Sequence, residues 1–266
     1  LMLNTKVEKI LVENGKVQGV RLEDGREIYS DLVVTTIDPN VAMKEMVGLD
    51  VIRNLDEKYA KKVESVRMST SSMNVSIGLD DEIDLGALGL DCGYSVITTG
   101  GDIYDRLFDD MEKGIIGYTD DEFRLGVICP SLTTGGKPNI ALRIVPMGID
   151  DWTELRENNP EKYKEKKEKW ANFFIEKTEK YLIPNLREHI KVVDISTPAT
   201  YARYSGSPSG AIYDMAPYPD NFGRTRLPMR TPVKGLFQPK FIHSVFATLL
   251  AGMQVNDMFM NRAVMD

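Results

Sequence analysis

With 266 residues, 42% of them apolar, the chain is long enough to bury one large core or two modest ones. A formal net charge of −7 and a pI near 5.1 argue against binding nucleic acid or an anionic membrane surface. No apolar run approaches the ~18–20 residues that span a bilayer. The two cysteines, Cys92 and Cys129, lack metal-like spacing and read as reduced, buried thiols of a cytoplasmic protein.

The first forty residues predict a small β-meander. Val7, Ile10 and Val12 alternate with polar residues, as do Val17, Val20 and Leu22, and the dipeptides Asn14-Gly15 and Asp24-Gly25 mark tight turns. Leu32-Val33-Val34 reads as a strand covered on both faces, stopped by Asp38-Pro39, with Asn40 expected to cap a short helix through Met43. Residues 56–63 predict a short charged helix. Residues 67–79 then alternate Met68, Met73, Val75, Ile77 and Leu79 with small polar residues, as in a strand with one apolar face.

Further strands are expected at 93–99, 125–132 and 139–147, and a helix capped by Asp102 over 103–111. The Gly135-Gly136 pair reads as a hairpin turn, because no Gly-Lys-Ser/Thr and no helix start follow it. Asn159-Pro160 predicts a helix N-terminus, and Tyr163, Trp170, Phe174 and Tyr181 recur on one helical face until Ile183-Pro184 ends it. The Lys/Glu run at 161–169 is its solvated side. No carboxylate pair, Ser-His-Asp set or metal cluster stands out, so no metal is expected.

Three segments carry a family resemblance. The first is the opening meander followed by Ser30-Asp31-Leu32-Val33-Val34-Thr35-Thr36-Ile37-Asp38-Pro39. The second is Ser196-Thr197-Pro198-Ala199-Thr200-Tyr201-Ala202-Arg203-Tyr204, continuing through Gly206 and Gly210 to Tyr213. The third is Thr231-Pro232-Val233-Lys234-Gly235-Leu236-Phe237, followed by a helix-like stretch ending Ala251-Gly252-Met253. In this order they resemble the C-terminal part of FAD-dependent oxidoreductases of the phytoene desaturase, carotenoid isomerase and retinol saturase group, within the amine oxidase-like superfamily.

The resemblance implies an α/β fold. Residues 1–50 and 220–266 would be part of a Rossmann-like FAD-binding domain, and residues 51–219 a mixed-sheet substrate domain with covering helices. It implies hydride transfer between flavin and an apolar, isoprenoid-type small molecule. Val7, Thr35, Thr36, Ser244 and Gly252 would contact the cofactor, with His243 as a proton donor and Met68, Met73, Tyr201 and Tyr204 lining the substrate site. In relatives the stretch around residues 197–204 is a strand returning to the flavin.

The sequence departs from the group in two places. No G-x-G-x-x-G occurs, so the N-terminal FAD-binding half is the implied partner, in the same parent chain or as a separate subunit. In addition, Gln238 to Phe246 lacks the glycines of the family's flavin loop. FAD is therefore expected in the full-length parent and not on this chain alone, in a protein that is cytoplasmic or peripheral to a membrane. An amine oxidase-like flavoprotein, or a non-catalytic binding or assembly subunit, remain the alternatives.

Overall fold

The computed structural model describes residues 1–90, 93–99, 119, 121–147, 152–208, 210–213, 215–216, 218–219, 225–238 and 252. Helices and sheets are mixed, in keeping with the α/β expectation, and the chain divides into two compact units. One comprises residues 1–69, 205–207 and 213–266; the other comprises 70–204 and 208–212. The sequence reading drew its first boundary after residue 50. The structure keeps the helices up to Ser65 with the meander because Ile52, Tyr59, Ala60 and Val63 bury into that unit's core.

Unit 1 opens with the antiparallel meander β1 (Val7–Glu13), β2 (Lys16–Leu22) and β3 (Glu27–Tyr29). Asn14 and Gly15, at φ +50° and +72°, form the first turn as their types require. Ile10, Val17 and Leu22 are buried. β4 (Val33–Val34) pairs in parallel with β10 (Leu236–Phe237). The strand expectation holds, but cover on both faces is not met within this chain, since Val34 is 44% exposed.

Beyond β4 a π-helix (Val41–Gly48) buries Ala42, Met43 and Val47, followed by α1 (Leu49–Leu55) and α2 (Glu57–Ser65). The Asp56 side chain caps α2 by accepting the Tyr59 N–H. Asn40 makes no such cap for the π-helix. Its entry is held instead by Asp38, whose backbone carbonyl accepts the Ala42 N–H at 2.8 Å.

Unit 2 is built on a five-stranded antiparallel sheet in the order β6-β7-β8-β5-β9, with β5 (Ser71–Leu79), β6 (Tyr94–Thr99), β7 (Phe123–Ile128), β8 (Asn139–Met147) and β9 (Ile190–Ser196). The four strands expected between 67 and 147 therefore share one sheet. Alternation sends Met73, Val75, Ile77, Leu125, Val127, Ile140, Leu142 and Ile144 to one face, where they are sealed.

Two short helices, α3 (Pro130–Thr134) and α4 (Trp152–Asn158), precede the long helix α5 (Pro160–Tyr181). Residues 130–132, expected as strand, belong to α3, because Pro130 favours the first turn of a helix. Asn159 caps α5 through the Lys162 N–H at 3.1 Å. Phe174 is fully buried, while Trp170 is half-buried and edge-on to Phe173 and Phe174. Tyr181 remains 45% exposed, with its ring 6.0 Å from Phe123.

A short turn of helix, α6 (Leu186–His189), leads into β9. The segment expected as a returning strand is then the helix α7 (Pro198–Ser205). Thr197 precedes Pro198, and this pair starts helices because the hydroxyl accepts a first-turn N–H while proline, having no N–H, needs no acceptor. The helix at 103–111, Cys92 and the expected closing helix, apart from Gly252, lie outside the described residues. Cys129 is free and buried.

Candidate functional site

In unit 1, β4 and β10 run in parallel and end together, and the loops at their carboxyl ends are closely tied. The Thr35 N–H donates to the Phe237 carbonyl at 2.8 Å, and Gln238 Nε2 donates to the Ile37 carbonyl at 3.1 Å. Asp38 is 1% exposed; its carboxylate accepts the Asn40 N–H at 2.8 Å and the Ser207 hydroxyl at 2.6 Å. This network leaves two buried acceptors without a partner, Asn40 Oδ1 and Gln238 Oε1. Buried acceptors nearly always find a donor. A ligand edge carrying N–H or hydroxyl groups suits this end of the parallel pair, where α/β sheets characteristically receive ligands. Of the expected cofactor contacts, Thr35 is buried here, Thr36 is exposed beside it, and Val7 is half-buried opposite Leu22.

Unit 2 carries a second polar group, on the sheet face opposite the sealed core. Arg143 interrupts the apolar run of β8 and lies opposite Asn74 of β5. Its Nε donates to Ser72 Oγ at 3.3 Å, and Ser72 donates in turn to the Ile144 carbonyl. Tyr201 of α7 shares hydrogen bonds with Ser72 and Arg143. Burial raises the phenol above its ordinary value, and the guanidinium partly counters that shift. Asn74 Oδ1 is buried and unpartnered. Arg143 is half-buried, and no carboxylate pairs with it among the described residues.

Tyr201 is thus the one residue of the expected substrate set that the structure gathers into a polar cluster. Met73 has no exposed surface and packs among the buried strand residues, so it serves the core and cannot line an open site. Met68 is half-buried in unit 1, bridged to Met215, and Tyr204 is 79% exposed. His243 and Ser244 lie outside the described residues, and Gly252 is an exposed helical position. Sequence reasoning missed Arg143, Ser72 and Asn74. The available signal was a lone arginine inside Asn139–Met147.

His189 bonds Asp80 through Nδ1 at 2.9 Å, with Lys191 3.2 Å from the other carboxylate oxygen. The bond to His189, together with Lys191, holds the Asp80 carboxyl below its ordinary range. A cleft of about 400 Å³ opens here between Gly78, Pro138, Asn139 and Val192, with Lys137 and Lys191 beside it. Among the described residues no helix is long and apolar enough to cross a membrane, and no cluster of His, Cys, Asp and Glu could hold a metal.

No family model matches the chain. It is 25% identical to the chloroplastic prolycopene isomerase of Daucus carota over 238 residues, covering 89% of this chain and 36% of that protein. It is 28% identical to the phytoene desaturase (neurosporene-forming) of Rhodobacter capsulatus over 229 residues, covering 82% and 40%. A shorter stretch of 83 residues, 31% of this chain and 16% of the relative, is 32% identical to a 4,4'-diapophytoene desaturase of Methylomonas sp. Among solved structures, a putrescine oxidase with redesigned cofactor binding superposes with a TM-score of 0.53 at 14% identity, covering 98% of this chain and 49% of that one. This likeness establishes the shared fold. The chain spans less than half the length of each of these proteins, and over that span it is similar in sequence to the carotenoid isomerases and desaturases.

Proposed function

We propose that this chain is the C-terminal portion of an FAD-dependent oxidoreductase resembling phytoene desaturase, one that transfers hydride between flavin and an apolar, isoprenoid-type substrate. The observation that carries the reading is the similarity to prolycopene isomerase across 89% of the chain. The loops after β4 and β10 add a physical reason. Asn40 and Gln238 present buried acceptors that want donors, and a dinucleotide offers hydroxyl and amino groups. Thr35, Thr36 and Val7 would border that edge, with Ser244 and Gly252 on the closing segment.

FAD supplies the hydride chemistry when bound, and protein groups position it. His243 is the proposed proton donor to the reacting chain. The substrate is assigned to unit 2, on the side of Tyr201, with Tyr204 as an outlying contact; Met68, in unit 1, is not part of that assignment. The pyrophosphate has no glycine-rich turn to receive it in this sequence. That role falls to an N-terminal half, in the same polypeptide or as a partner subunit.

The test is an absorbance spectrum of the purified full-length protein, or of this chain assembled with its dinucleotide-binding half. Flavin bands at one equivalent are expected. A colourless assembly from which no flavin is extracted refutes the reading.

A further inference from the structure

The register of the unit 2 sheet lays out a lane on the face opposite its core. Asn74 stands opposite Arg143, Ser76 opposite Ala141, and Gly78 opposite Asn139. The floor of the lane is low at Ser76 and Ala141, which carry small side chains, while at Gly78 the Val192 Cγ1 methyl leans over the backbone, 2.7 Å from where a Cβ would stand. Ile128 of β7 lies beside Ala141 and Val192 of β9 beside Gly78, giving apolar flanks on either side. Val192 is 62% exposed, and Asp194 lies next to Ser76. Arg143 lies four positions beyond Asn139, roughly 13 Å along a strand. The lane therefore joins the arginine at one end to the 400 Å³ cleft at the other, whose surface is largely apolar.

The arginine end is chemically incomplete. A half-buried guanidinium has lost part of its hydration, and among the described residues two neutral hydroxyls, Ser72 and Tyr201, stand in for it. A guanidinium offers five donors in a planar fork, which match a carboxylate in two parallel hydrogen bonds. The Asn74 amide is not fixed by a bond to its oxygen. Rotated half a turn, it presents N–H to the same position.

We infer that this face binds an apolar chain ending in a carboxylate, with the acid on Arg143 beside Tyr201 and Asn74 and the chain laid along Ser76 and Ala141 into the cleft at Gly78. The inference deepens the proposed function and rests on its apolar substrate, to which it adds one acidic end that fixes which way round the chain lies. A pure hydrocarbon would leave the guanidinium unpaired.

The probe is a fluorescent conjugated-polyene C18 carboxylate titrated into the full 266-residue chain, beside its methyl ester. The acid is expected to bind saturably at one equivalent, about ten- to a hundredfold tighter than the ester, the range for a hydrogen bond to a charged partner. Arg143→Met should bind acid and ester alike, with Arg143→Lys in between; circular dichroism identifies a variant that has failed to fold, and Arg143→Lys then decides. Lys137→Met should leave the preference intact. Absent saturable binding, equal binding of acid and ester, or a preference that follows Lys137 and not Arg143 overturns the inference. None of these readouts involves flavin, so a flavin-free assembly would refute the proposed function without touching this result.

Discussion

Gly235 and Gly25 form a matched pair from which the cost of a backbone approach can be read. Their φ angles are +83° and +86°, so alanine meets the same conformational penalty at both, roughly 1–2 kcal/mol. About 0.4–1 kcal/mol of this is returned, because alanine narrows the unfolded ensemble. At Gly25 nothing lies within 4 Å of the added methyl, and the net cost should stay near or below about 1 kcal/mol. At Gly235 the methyl falls 2.4 Å from the Asp31 carbonyl oxygen and 2.9 Å from Val17 Cγ1. Backbone must therefore retreat by at least 0.6 Å, the difference between 2.4 Å and the 3.0 Å below which real contacts are essentially absent. Overpacking of this kind adds about 1–3 kcal/mol, so Gly235→Ala should cost about 2–4 kcal/mol in total. The displaced backbone includes the Gly235 carbonyl that accepts the Val33 N–H and the Lys234 carbonyl that accepts the Val17 N–H. Urea melts followed by far-ultraviolet circular dichroism measure the difference, and amide exchange at Val17 and Val33 locates it. Equal destabilisation by the two substitutions, with unchanged exchange at both amides, would refute the close approach as the reason for glycine.

Phe174→Ala should cost about 3–5 kcal/mol in denaturant melts, the range for a fully buried ring. Trp170→Ala should cost about 2 kcal/mol, since only part of its ring is buried and the rest of its contribution is edge-on packing. The reverse order would misplace the buried face of α5. The Asp80 carboxyl is held below its ordinary value near 3.8 in the folded chain. Its contribution is therefore present above that value and lost as the pH falls through the lower folded one. Asp80→Asn should flatten this part of the acid limb in urea midpoints taken across that interval, and an unchanged acid limb counts against the link. The chain alone should be colourless and show no saturable quenching of titrated FAD at micromolar concentration, because it lacks a pyrophosphate-binding turn. A stoichiometric yellow preparation would contradict this.

Much of the fold was legible because it rests on local chemistry. Asn14-Gly15 and Asn159-Pro160 dictate their turn and helix start with no help from distant residues, and the alternation of Met73, Val75, Ile77 and Leu79 names the face that is sealed. The misreadings share a cause in tertiary context. Asn40 was a plausible cap by type, yet Asp38 reached the helix entry first, through contacts that include Ser207. Thr197-Pro198 carries a helix-start pattern that the likeness to a returning strand overrode. Met73 satisfied the apolar pattern of a binding surface and of a core equally, and only the pairing of β5 between β8 and β9 decides for the core. The Arg143 cluster was invisible because Ser72 and Arg143 are 71 positions apart and meet only through sheet register.

The pairing of β4 with β10 has a consequence for synthesis. Val34 emerges from the ribosome about two hundred residues before Leu236, and the whole of unit 2's main segment, residues 70–204, is made in between. At the usual elongation rates of about 5–20 residues per second, that interval is on the order of ten to forty seconds. Unit 2 has all its strands in hand long before its host unit can close. The nascent meander meanwhile waits with Val33 and Thr35 offering unbonded amides and Val17 facing a gap that Gly235 will fill. The inserted sheet can therefore close first, and its host is the part whose completion has to wait for β10.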